Sequence, residues 1–563
     1  MTELYLQKTG STWHRVYFDT SQSGFKLTRE NPYFTQSESY TLDVTLPTDI
    51  LDNRQFFQNM QRIDRTKRTP VMKCRLLVDN IPVLCGSAKV TQVTEQQVKV
   101  QLFGGKSEVN FLSTENNEHI DELPLGTRHV ITNPSDLAFY SDISTGLPYS
   151  HSAIINETSG DIVDELEACH PQLVGTMRLM LSHYGFVMKT GFLDEEPWSK
   201  IYIASAMHTL DIAHKLPHWT MKEFFEEFCN FFCITPLIDQ EAMTVEFVAN
   251  SEFLGRDGMT VRLEPVDEYQ ADISEDEEAA SLMGSTLAFT LSSSASHDTD
   301  CLDDSVREAL PVQEYPSKGE METGWAAMSP ELRRTKIFVS PMRRMISWVY
   351  NYQDTEYEKK EYVDQFRPLD RGTEERKELR IVPVAMARGE QYAAQTYHGM
   401  PTMENPAGDE TPHYWWDDED NTLRTPTVQE IITGEQDAKK ADKEDIMQVM
   451  FDDGSYSDVT PTRRRSLGFT DITFRAGWHR AQSLWSLSLN PADADYYLGQ
   501  LHQNGFSFNM KARHTFRFIA DRMPDPRSIF LVRNKRFACE KIEATVIADG
   551  FDKLMTGYFY EML

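Results

Sequence analysis

Residues 219–233 constrain the fold more than any other stretch of the chain. Thr220 and Glu223 have the spacing of a capping box, in which the hydroxyl satisfies an orphan N–H and the carboxylate reaches back to the cap. Trp219 and Phe224 stand where a hydrophobic staple needs them. Met221, Phe224, Phe225, Phe228 and Phe232 recur at helical spacing and predict one broad apolar face. Pro236 is expected to end the helix. Two β-like runs follow, 237–238 and 243–248, with 239–242 as their turn. A helix feeding an antiparallel hairpin is a packing unit rather than a catalytic one.

The first 115 residues read as all-β. Tyr40, Leu42, Val44 and Leu46 alternate with polar residues, as do Met72, Cys74, Leu76 and Val78, and then Val98, Val100 and Leu102. Asp79-Asn80 supplies a turn. Residues 51–64 carry a helix-like polar stretch. Further on, Pro171 is expected to open a helix whose face is Leu173, Met177, Met180, Leu181 and Tyr184, with Gly185 as its stop. Strands are expected at 198–203, 336–339, 346–350, 379–384, 529–532, 537–543 and 557–560, with a turn at 533–536. The acidic run 275–278 and the serines 292–294 interrupt the strands of 260–310. Residues 389–465 are rich in Gly, Pro, Asp and Glu and read as an excursion, apart from a short helical stretch near 445–450.

A chain of 563 residues holds three or four domains of about 100–200 residues each. Its formal net charge is −31, from 87 acidic and 56 basic residues. Such a surface repels phosphates, which argues against gripping nucleic acid but suits the wall of a conduit through which DNA slides. The seven cysteines are scattered and odd in number, so a disulfide framework is not expected and a reducing cytoplasm is. Cys229 and Cys233 fall on the apolar helix as core residues. No signal peptide and no membrane-spanning run is evident, and the chain is expected to be soluble.

Motifs that carry chemistry are incomplete. Gly104-Gly105-Lys106-Ser107 follows Val100 where a phosphate-binding loop requires glycine. His208, His214 and His218 suggest zinc, but Pro217 breaks any helix that would align the last two. Asp493 and Asp495 lack the rest of a calcium loop. Gly-x-Ser-x-Gly is missing. Arg463, Arg464 and Arg465 are a basic island that reads as a solvated loop. The expectation is of no catalytic, cofactor-binding or metal residue, no cofactor, and no enzyme.

Several segments together resemble the tail hub (baseplate hub, tail-tip) proteins of tailed bacteriophages of the Bacteroidales-infecting type. They are Asn31-Pro32-Tyr33-Phe34, 40–47 and Asn53-Arg54; the Pro171 helix leading to 198–204; Leu216-Pro217-His218-Trp219-Thr220; and the ending from Asn504-Gly505-Phe506 through 524–528 to 557–560. The resemblance covers roughly the first 250 and last 60 residues, and 389–465 departs from it. It implies an α+β, β-rich chain of several small β-barrel or sandwich domains joined by a helix–hairpin segment. The division expected is an N-terminal β-barrel-like domain (1–115), a helix-bearing domain (116–260), a β-rich domain (261–388), the acidic excursion (389–465) and a C-terminal β segment (466–563).

The resemblance also implies a homotrimeric ring in the virion, assembled in the host cytoplasm. Its neighbours would be the tail tube or distal tail protein, the tape measure protein and the tip spike or fibres, and its lumen would pass DNA without sequence-specific binding. The alternatives are a tail-associated cell-wall hydrolase and a receptor- or carbohydrate-binding tail protein. For the latter, Tyr414-Trp415-Trp416 offers stacking surface.

Overall fold

A computed structural model describes residues 2–8, 12–18, 25–35, 39–64, 71–105, 118–126, 149–155, 162–204, 212–239, 242–273, 285–290, 311–315, 318–333, 337–339, 344–351, 356–363, 368–371, 376–383, 386–387, 400–401, 415–417, 422–424, 446–456, 464–467, 485–490, 496–503, 506–547 and 550–563. The fold is α+β and β-rich, with several sheets and few helices. No helix among these residues is long and apolar enough to cross a membrane.

The N-terminal sheet has six antiparallel strands in the order His14–Val16, Thr2–Gln7, Val71–Val78, Ile81–Val93, Gln97–Gly105, Ser39–Pro47. Met72, Cys74, Leu76 and Val78 are buried, as are Val98, Val100 and Leu102, so the alternation in the sequence marks the inner face. Asp79 and Asn80 both have positive φ (52° and 64°) and join Val78 to Ile81 as a two-residue hairpin. The short helix Leu51–Phe56 adds Phe56, Phe57 and Met60 to this core. Asn53, fully buried, accepts from Tyr17 N and donates to Tyr17 O and Pro47 O. That leaves no polar group of the amide stranded in the interior.

The C-terminal sheet draws on both ends of the chain. Its order is Thr260–Arg262, Ile529–Val532, Lys535–Ile547, Leu554–Met562, Phe508–Ile519, Gln270–Ile273, and Phe25–Glu30 pairs antiparallel with Lys535–Ile547. The expected turn is a hairpin through Arg533 and Asn534, both at positive φ. Thr2 Oγ1 donates to Ile547 O at 2.6 Å, and Val546 enters the N-terminal core, so the two sheets are packed together.

The largest core among the described residues draws on residues 120–498 of the chain. The helix Leu173–His183 buries Leu173, Met177, Met180 and Leu181. It starts two residues later than expected, because Pro171 ends the strand Ile162–Pro171. Its end is a Schellman motif: Phe186 N donates to Leu181 O, Gly185 N to Ser182 O, and Gly185 takes φ +81°. The aromatic helix spans Met221–Phe232, as the periodicity requires. Its stop is Cys233 in the left-handed conformation, not Pro236, which lies inside the strand Ile234–Asp239. That strand is at the edge of a three-stranded sheet, where proline is tolerated.

Two further expectations are corrected. Residues 198–200 form a 3₁₀ turn, so the expected strand is only Ile201–Ile203. The stretch near 445–450, read as helical, belongs to the strand Met447–Tyr456, which lies between Ile201–Ile203 and Ile381–Pro383. Met447, Val449, Met450 and Phe451 are all buried there. A short apolar run buried all round lacks the alternation that would separate strand from helix.

Candidate functional site

The capped helix is held as the sequence dictates. Glu223 N donates to Thr220 Oγ1 at 3.2 Å, and Thr220 N donates to Glu223 Oε2 at 2.8 Å. Burial pushes the Glu223 carboxyl up, but the Thr220 hydrogen bonds, with Arg380 and His119 nearby, outweigh it and hold the group below its ordinary value. Arg380 lies over the Trp219 ring at 4.6 Å and pairs with Glu227 at 3.3 Å. For Glu227 burial dominates, and its carboxyl sits above the usual range despite that arginine. Replacing Thr220 by alanine is expected to cost about 1 kcal/mol through the lost cap, read as a small drop in the melting midpoint.

Residues 118–122 lie across the start of this helix. Ile120 N donates to Trp219 O at 2.8 Å, Met221 N donates to Glu118 O at 3.2 Å, and His119 bridges Thr220. The second of these bonds satisfies one of the orphan N–H groups of the first turn. A 3₁₀ turn, Ile120–Glu122, follows at once.

This crossing assembles a cluster that the sequence keeps far apart. The His119 and His218 rings stack with centroids 3.7 Å apart and planes 10° from parallel. His218 Nδ1 lies 3.0 Å from Asp121 Oδ1 and 3.2 Å from Oδ2. The Asp121 side chain is wholly buried, whereas that of His218 is 41% exposed. His119 Nδ1 is buried with no hydrogen-bond partner among the described residues. One ligand atom from each of the three residues lies within 4.8 Å of the others.

Of the histidines singled out in the sequence, His218 alone enters this cluster. His208 lies outside the described residues, and His214 sits on the 3₁₀ turn Ala213–Lys215 with its side chain outside them. His119 and Asp121 were not anticipated. Their His-x-Asp spacing is the only local sign, and its partner is 97 residues away from Asp121. Gly104 and Gly105 end the strand Gln97–Gly105, while Lys106, Ser107, Asp493, Asp495, Arg463 and Tyr414 lie outside the described residues. Trp415 and Trp416 lie in the strand Trp415–Asp417, paired with Thr422–Arg424.

No family model and no curated protein matches the chain. Among solved structures it is similar to the 43 kDa tail protein of prophage MuSo2 from Shewanella oneidensis, with TM-score 0.33 and 8% identity over 99% of this chain and 97% of that one. It is also similar to a tail protein from Neisseria meningitidis MC58, with TM-score 0.31 and 8% identity over 100% and 96% of the two chains. At these scores the folds agree only loosely.

Proposed function

We propose that this chain is a structural protein of a bacteriophage tail, a hub at the tail tip that forms a threefold ring continuing the tail tube. Its partners are then further copies of itself, the tube or distal tail protein, the tape measure protein, and a tip spike or fibres. Its work is assembly and DNA passage rather than catalysis.

One observation supports this reading most: segments that carry the hub resemblance, though distant in sequence, meet in one packed junction. Asn31 Nδ2 donates to Cys539 O at 2.7 Å and to Pro526 O at 3.0 Å. Tyr33 packs against Phe506, Phe508 and Phe253, and Phe34 against Tyr560. Residues 31–34, Phe506, Pro526 and Tyr560, all from segments that carry the resemblance, thus belong to one packed unit. The N-terminal sheet also ends on the strands His14–Val16 and Ser39–Pro47, and sheet edges favour pairing with another copy.

Light scattering on the purified protein is expected to give three chain masses of 64.9 kDa each, or a concentration-dependent approach to that value. Antibody labelling should decorate the tail tip of intact virions. A single copy per virion tip, or label confined to the capsid, would sink the hub reading. Peptidoglycan zymography is expected to show no clearing band, and a band would favour the hydrolase alternative.

A further inference from the structure

We infer that His119, Asp121 and His218 form a binding site for a divalent transition-metal cation of the zinc class. Two imidazoles and one carboxylate are a nitrogen-rich donor set that suits Zn²⁺, Co²⁺ or Ni²⁺ and discriminates against Mg²⁺ and Ca²⁺, which take oxygen ligands. Asp121 is wholly buried beside His218, so a cation here gives a desolvated carboxylate a strong counter-charge. The buried nitrogen of His119, with no hydrogen-bond partner among the described residues, is a donor atom that a metal would satisfy.

The geometry is grouped rather than closed. A metal lies on the in-plane lone pair of each imidazole, and two parallel rings 3.7 Å apart cannot both aim at one ion. Loading therefore turns one ring. His218, 41% exposed, has the room to do so, while His119 is tied through its backbone to Thr220. The donor atoms, now within 4.8 Å of one another, draw in to the roughly 3.3 Å separation that tetrahedral bonds of about 2.0–2.1 Å require. His218 then exchanges its hydrogen bond to Asp121 for a shared ion. At least one coordination position is left to water. The cation would clip residues 118–122 to the start of the aromatic helix, joining segments about a hundred residues apart.

The test is calorimetric titration of the full-length, chelator-treated protein with ZnCl₂, with MgCl₂ as control and Co²⁺ absorption as a readout of coordination. One Zn²⁺ per chain is expected, with a melting midpoint that rises on loading and a four-coordinate Co²⁺ spectrum. His218→Ala should weaken binding by more than the roughly hundredfold that loss of a merely supporting partner costs. His119→Phe keeps the ring volume and stacking but removes the nitrogen, so it should abolish the Co²⁺ spectrum without unfolding the chain. Zinc binding unchanged in both variants would place the ion elsewhere and overturn the proposal. So would a wild-type chain that shows no saturable binding, in which case the stacked histidines serve only to pack against Asp121.

Discussion

Phe228→Ala is expected to destabilise the central core by about 3–5 kcal/mol, the range for emptying a fully buried aromatic site. Phe228 is wholly buried on the aromatic helix, and its ring lies 5.0 Å from Phe232, 5.3 Å from Phe247 and 6.1 Å from Phe224 between centroids. Phe247 belongs to the hairpin strand Thr244–Ala249, so the cavity would open between helix and hairpin and neither could close it alone. The aromatic pair energies, about 0.5–1.5 kcal/mol each beyond area burial, are lost at the same time. A chain of several sheets need not melt in a single step, and the transition that carries this core is the one that should move. Ile63→Ala is the control: Ile63 is 94% exposed, and its replacement should stay within about 0.5 kcal/mol. An unchanged midpoint for Phe228→Ala would mean that the helix does not pack as described.

That helix was legible because every signal for it is local. Cap, staple and apolar face fall within fourteen residues, 219–232, and each acts on its neighbours. The hairpins at Asp79-Asn80 and Arg533-Asn534 were legible for the same reason, since a two-residue turn at positive φ selects its own sequence. What failed depended on distant partners. Nothing near Phe25–Glu30 tells that it pairs with Lys535–Ile547 rather than with its neighbours in sequence. The stretch near 445–450 reads as helical until the strand Met447–Tyr456 is placed between its two partner strands. Pro236 misled because a proline stops a helix by default, whereas here Cys233 had already done so through its left-handed backbone. The His119, Asp121 and His218 cluster belongs with these cases: its members are ordinary polar residues until residues 118–122 cross the cap.

Mild acid is expected to destabilise the protein through two further histidines, both fully buried. His170 is wholly buried, and burial, reinforced by the nearby charge of Lys215, pushes its pKa down to about 3 against a weak opposing hydrogen bond at Ile203. Burial likewise lowers His502 to about 4, with Arg371 and Lys377 adding to it. His502 Nε2 donates to Phe231 O at 3.0 Å, and its Nδ1 is buried without a partner among the described residues, so a second proton would bring an N–H and a charge into the core. In the unfolded chain both groups titrate near 6.5. Above that value neither state binds the proton, and pH has no effect through them. As pH falls below it, the unfolded chain takes up protons that the folded chain refuses, so stability declines until about pH 4 for His502 and about pH 3 for His170. At pH 5 the loss amounts to about 2 kcal/mol for each, or about 4 kcal/mol together. Asp525 acts in a separate window. Burial raises its carboxyl, but Arg527 and Arg29 outweigh it and hold the pKa at about 2, so its contribution is lost only below the ordinary carboxylate range. Melting midpoints followed from pH 7.5 to 5 should therefore fall well before the carboxylates titrate. His502→Gln keeps a donor for Phe231 O but cannot take the proton, and it should roughly halve that slope. A wild-type midpoint that stayed level across this interval would show that both histidines accept protons in the folded chain, and the burial assigned to them would be wrong.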